Sequence, residues 1–380
     1  SARLLEVAAA HVTANFGAYT FRCLVMLTWA FSALGPHDAA LFRGLAAQLS
    51  PVLHTGSCHD LSMLAWAFGN AGIRQDKLFS DIAQRSAPRL ADFCAQDLAD
   101  TVRSFARNGF FHRGFLLGAA TAMEKLDASA EQLATFVCSA AQLRPKHHGT
   151  RAAVATLLPK CINLVHKFRD EDLASLVLAV ATCFYIDAQG EQTEAAGTET
   201  PPAVAAFVEA TVDSLLRPEP RLPRFSAAAV ATVALGLAAA GEACPKAEGA
   251  YAALVSEARE RLPGVDAQTL CTLLAAFSGM PRSADVCDAV RSHAAEVAKR
   301  LDEGPLDETT WPALMHIGLR LAAAAGMPSD AATPAHIGVE ELTALLRGRA
   351  LRGSTGQQVI LDWSEVVPID LLCCSWAADR

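Results

Sequence analysis

The chain lacks most of what an enzyme, a membrane protein or a metal module needs. Aromatic residues make up only 7% of the 380 residues. No sustained alternation of β-branched or aromatic residues with polar ones occurs, so strands and sheets have no support. The longest apolar run, Ala227 to Ala240, is interrupted by Thr232 and falls short of the roughly 20 residues that cross a bilayer. Eleven cysteines are present, yet none form a CxxC pair, which removes zinc-ribbon and thioredoxin chemistry. Several of them (Cys138, Cys161, Cys183, Cys271) sit in apolar stretches, where a thiol acts as a small hydrophobe in a reducing compartment. There is no GxxxxGK[ST] loop, GxGxxG turn, HExxH helix or GxSxG elbow. Neither a catalytic residue nor a cofactor is therefore assigned. The pair His147-His148 has no acidic or cysteine neighbour and reads as a basic turn, RPKHHGTR, rather than a metal site.

What the chain does have is a repeated helix. Asp60 to Gly72 reads DLSMLAWAFGNAG, Asp97 to Gly109 reads DLADTVRSFARNG, and Cys23 to Gly35 reads CLVMLTWAFSALG. Trp29, Trp66 and Arg103 occupy the same position at spacings of 37 and 37 residues. Weaker copies follow at Gln132–Leu143, Asp172–Phe184, Ala229–Gly241, Asp266–Gly279 and Leu314–Gly326. A period near 37 residues with helical apolar spacing predicts an all-α solenoid of about eight helix-turn-helix repeats. Asp60 is the expected N-cap of the second copy. Pro51 and Pro88 sit where they shorten the preceding first helices. Leu41, Phe42, Leu45, Leu49, Val52 and Leu53 form one apolar stripe. Leu61, Leu64, Ala65, Phe68, Leu98, Val102 and Phe105 form the core face of the repeated helix. Further first helices are expected over 112–126 and 155–169.

Charge divides the chain. Net charge is −8, which argues against a generic polyanion binder. Residues 1–170, however, hold 17 Lys and Arg against 12 Asp and Glu, while the remainder holds 15 against 28. Residues 1–186 thus read as basic repeats and 187–202 as a polar insertion. Residues 203–334 read as acidic repeats, and 335–380 as a capping helix with an apolar docking tail. A polyanion would meet the first part and proteins the second.

In a solenoid the turns after the second helices line up along one edge. These turns carry Arg74, Arg113, Arg144, Lys146, His147, His148 and Arg151, a basic edge suited to phosphates. His37 and His112 fall in the same turns. Arg103 and Arg107 add charge on the third repeated helix. Asn70, Arg107 and Gln142 are candidates for base readout, and Tyr19, Phe110 and Phe111 for base stacking.

The Asp-Leu-x4-Trp-Ala-Phe-x3-Gly pattern at Asp60 to Gly72 resembles the octotricopeptide repeat. It is also similar to the helical repeats of FAST-kinase-like and RAP-domain proteins. That resemblance implies an organellar, RNA-binding α-solenoid acting in transcript stability, processing, translation or ribosome assembly. With the charge division, it gives the expectation of a non-enzymatic structural or assembly component of a mitochondrial ribosome. Such a component would contact ribosomal RNA and neighbouring proteins within a larger complex, with no membrane partner. The alternatives are a plastid location, a transcript-specific mRNA factor, or a HEAT/armadillo-like protein scaffold without RNA.

Overall fold

The structure, a computed structural model, describes residues 2–35, 38–185, 200–216, 221–241, 244–281 and 283–303. Among them are fifteen α-helices and no strand. The eighth repeated helix, the 335–350 helix, the docking tail and most of the polar insertion lie outside the described residues.

The helices group into two compact units, residues 1–168 with 193–204 and residues 169–192 with 205–380. The first unit contains α1 (Ala2–Ala14), α2 (Phe21–Leu34), α3 (Ala39–Leu49), α4 (Cys58–Ala71), α5 (Asp76–Ser86), α6 (Ala95–Arg107), α7 (Arg113–Lys125), α8 (Ala130–Leu143) and α9 (His148–Asn163). The even-numbered helices are the repeated second helices. They stack α2 on α4, α4 on α6 and α6 on α8 as one layer. The first helices make the other layer, with α1 on α3, α5 on α7 and α7 on α9. Each helix thus packs on a counterpart in a neighbouring repeat, and α5 meets the preceding repeat through the 3₁₀ turn Ser50–Thr55.

The repeat is written in caps and core alike. Thr20, Ser57, Cys94 and Ser129 begin α2, α4, α6 and α8 at spacings of 37, 37 and 35 residues. Each accepts the backbone N–H of its N3 residue. This corrects the expected cap: Ser57, not Asp60, is the N-cap. Asp60 instead closes a capping box by accepting the Ser57 N–H at 3.0 Å. At the other end Gly35, Gly72 and Gly109 all have positive φ. After α4 and α6, the N–H groups of Ile73 and Phe110 reach back to the carbonyls of Phe68 and Phe105. Phe42 meets Phe68 edge-on at 5.2 Å, and 37 residues on Phe79 meets Phe105 at 5.5 Å. Leu61, Leu64, Ala65, Phe68, Leu98, Val102 and Phe105 are all buried, as the periodicity predicts.

Prolines act as expected. α3 and α5 stop at Leu49 and Ser86, and Pro51 and Pro88 open the 3₁₀ turns Ser50–Thr55 and Ala87–Asp92. The switch from 3.6 to 3 residues per turn moves Val52 off the apolar stripe, and it is exposed. α9 begins at His148, seven residues before the predicted start, because His147 caps it.

The second unit contains α10 (Asp170–Phe184), most of α11 (Pro202–Leu216), α12 (Ala227–Ala240), α13 (Tyr251–Arg261), α14 (Ala267–Gly279) and α15 (Ala284–Glu303). α10 packs on α12 and α12 on α14, while α13 packs on α15. Gly236 makes the first of these contacts possible, since a Cβ there would lie 2.8 Å from Val177 Cγ1 and 3.2 Å from the Leu178 nitrogen. Arg221 is ion-paired with Asp170 at the start of α10.

Candidate nucleic-acid interface

The basic edge consists of the turns that follow α4, α6 and α8. After α4, Arg74 forks onto Asp76, with Nε 2.7 Å from Oδ1 and Nη2 3.1 Å from Oδ2. The hydrogen bonds from Arg74 hold the exposed Asp76 carboxyl below its ordinary range. Arg74 is therefore half-neutralised by its own neighbour, and it stands apart from the rest of the edge.

The turns after α6 and α8 converge. Phe110 turns inward, where its ring meets Phe79 and Phe105 at 5.8 and 5.1 Å. It is a packing residue and not the stacking residue expected. Phe111 lies under the Arg144 guanidinium at 5.0 Å, and the His147 ring meets it edge-on at 4.7 Å. His147 in turn stacks on His148 at 4.4 Å. Both turns end in histidine caps: His112 Nδ1 accepts the Phe115 N–H, and His147 Nδ1 accepts the Gly149 N–H, each at 3.0 Å. In their neutral forms both rings therefore carry the proton on Nε2. Arg113 opens α7, and its Cγ would lie 3.1 Å from a Cβ built on Gly149. Arg113, Arg144, His147 and His148 are thus brought together around Phe111. Arg144 and Lys146 lie in the turn, whereas His148 and Arg151 belong to the first turn of α9 rather than to a loop.

The helix starts of this cluster carry cations. α4, α5, α6, α8, α10 and α15 carry an acidic residue in the first turn, as the positive end of a helix dipole favours, and the other nine described helices do not. α7 and α9 are among those nine. They start with Arg113 and, within the first turn, Arg151, so guanidiniums stand at two positive helix ends.

Arg103 and Arg107 lie on the outward side of α6, both half-buried. Arg107 donates to Asn70 Oδ1 at 3.3 Å, and the Asn70 amide donates to the Ser32 carbonyl and hydroxyl at 2.9 and 3.0 Å. Asn70 and Arg107 therefore form a ladder across α2, α4 and α6 instead of standing free for readout. Burial, and then the neighbouring Arg103, lower the Arg107 pKa. Arg103 makes no hydrogen bond or ion pair among the described residues. Gln142, at the equivalent place on α8, is exposed, and Tyr19 is half-buried.

The same outward face carries a pair of neighbouring indoles. Trp29 and Trp66 mark the repeat in the sequence, and their rings lie side by side at 6.1 Å with a 32° tilt, with Trp29 45% exposed. Met26, one turn earlier, is 54% exposed. Helical spacing gave no hint of this, because the same register faces both the neighbouring helix and solvent. Toward the start of these helices His59 pairs with Asp97 at 2.9 Å, and Gln132 donates to Gln96 at 3.1 Å.

Among the described residues no group of three or more His, Cys, Asp or Glu could hold a metal. No helix of those residues is long and apolar enough to cross a membrane. No family model matches the chain, and no curated protein matches it in sequence. As a structure it is similar to a chain of the full-length AP-3 complex, a homology model in an intermediate open conformation. That likeness has a TM-score of 0.34 and 12% identity, and covers 91% of this chain and 72% of the other.

Proposed function

We propose that the chain is a non-enzymatic organellar RNA-binding solenoid, a structural or assembly component of a mitochondrial ribosome. One observation carries the reading: cations gather at the positive ends of α7 and α9, around Phe111. Cations there oppose the helix dipoles, and a bound polyanion relieves that repulsion. Arg113, Arg144, Lys146 and Arg151 would contact phosphates, with His147 and His148 donating through ring N–H groups. The resemblance of the repeat to octotricopeptide and FAST-kinase-like repeats supports RNA as the polyanion and an organelle as the location. The acidic balance after residue 170 supports protein neighbours for the later repeats.

A second reading, a protein scaffold, is favoured by Leu4, Val7 and Leu34, which are large apolar side chains exposed on α1 and α2. One experiment separates the two. Arg113, Arg144, Lys146 and Arg151 are changed together to Ser in the full chain, and binding of single-stranded RNA is titrated against salt. RNA binding predicts at least a tenfold weaker Kd at low salt. It also predicts a log–log salt slope shallower by about 0.7 per lost phosphate contact. Unchanged affinity in a variant that keeps its helical circular dichroism would reject the RNA reading.

A further inference from the structure

We infer that Trp29, Trp66 and Arg103, one from each of three successive second helices, form a stacking platform for unpaired bases of single-stranded RNA. The inference rests on the RNA-binding reading and adds the subsite that holds the bases.

The geometry comes first. The three residues share one register on α2, α4 and α6, which pack side by side. The tryptophan rings already touch each other at 6.1 Å, so no base fits between them. A base must instead lie on the solvent side of the row, where Trp29 and Met26 are open. Every base offers a π-face, so such a surface accepts bases without selecting among them. A guanidinium at the third position continues the row, because it is planar and stacks on bases as an indole does.

The charges point the same way. Arg103 has no carboxylate or hydrogen-bond partner among the described residues. Arg107, one turn further along α6, finds only the neutral amide of Asn70. Asp100, one turn before Arg103 on α6, accepts from Gln96 at 2.9 Å and makes no ion pair with Arg103 among the described residues. Two guanidiniums one turn apart repel unless an anion lies across them. A phosphate at that place leads directly into the turn of Phe111 and Arg113, which begins one residue after Arg107 ends α6. Aromatic faces followed by uncompensated guanidiniums fit a strand of alternating bases and phosphates. A peptide would have to supply a carboxylate at the Arg103 end and apolar side chains at the Trp29 end.

The test uses the full chain with two probes, an oligouridylate and an abasic ribose-phosphate oligomer of the same length. Tryptophan fluorescence and affinity are both read; the signal of Trp311, Trp363 and Trp376 is recorded in the Trp29→Leu, Trp66→Leu variant and subtracted. The expected result is quenching by the oligouridylate only. Trp29→Leu with Trp66→Leu should weaken oligouridylate binding about tenfold or more while leaving the abasic oligomer unaffected. Trp29→Phe with Trp66→Phe should restore affinity, which shows that the loss comes from the ring and not from misfolding. Arg103→Gln should weaken both probes. Equal affinity for both probes, or unchanged oligouridylate binding in the Leu variant, would overturn the platform and leave the basic edge intact. Binding of neither probe would overturn both. Quenching by a glutamate-rich peptide alone would overturn the platform in favour of a peptide groove.

Discussion

At the scale of single residues, two kinds of position share one helix surface and respond differently. Phe68 is fully buried and meets Phe42 edge-on, so Phe68→Ala should cost about 3–5 kcal/mol in chemical denaturation. This residue was legible in the sequence, because period-3.6 spacing alone puts it inward. Trp66 occupies an equally regular place, but spacing cannot say whether a large ring covers a neighbour or faces water, and so its pairing with Trp29 was missed. His293 is another residue whose behaviour only the fold reveals. It is completely buried on α15, its Nδ1 lies 2.7 Å from the Ala289 carbonyl, and its Nε2 has no hydrogen-bond partner among the described residues. Burial, and then the nearby Arg259, hold its pKa below the ordinary value of about 6.5. The folded state therefore binds its proton less readily than the unfolded state. The sign follows: stability is intact above about pH 6.5 and falls as pH drops from there towards the lowered folded value. Thermal unfolding at pH 7.5 and 5.5 should show this loss in the parent chain and a smaller one in His293→Gln.

At the scale of helices, caps carry much of the repeat. Ser57 both accepts the Asp60 N–H and donates to its carboxylate, so Ser57→Ala should cost about 1 kcal/mol, read as a lower unfolding midpoint. The sequence displays this box as Ser-x-x-Asp, but Asp is itself a favoured N-cap, so the spacing alone does not separate Asp60 from Ser57. Close approach of α4 to α6 depends on Gly69, where a Cβ would stand 3.0 Å from the Ser104 Cα. Gly69→Val should push the two helices apart and cost about 1–3 kcal/mol or more. It would also weaken the Asn70–Arg107 hydrogen bond across the same seam, and circular dichroism melts would register the change. The early start of α9 was hidden for a local reason. Lys146, His147, His148 and Gly149 have no apolar residue to extend the helical stripe, and histidine is not among the usual caps.

At the scale of the molecule, period and charge division were both readable from the chain, and they led to the all-α solenoid and to its basic side. The convergence of two turns around Phe111 was not readable, since it joins residues more than thirty apart through ring contacts. We propose that this side holds RNA stably. RNA that co-purifies with the native protein, sequenced at low and at high salt, tests it most directly. Ribosomal RNA retained at high salt is the predicted result. An absence of RNA at both salts would contradict the claim and leave the protein scaffold as the reading.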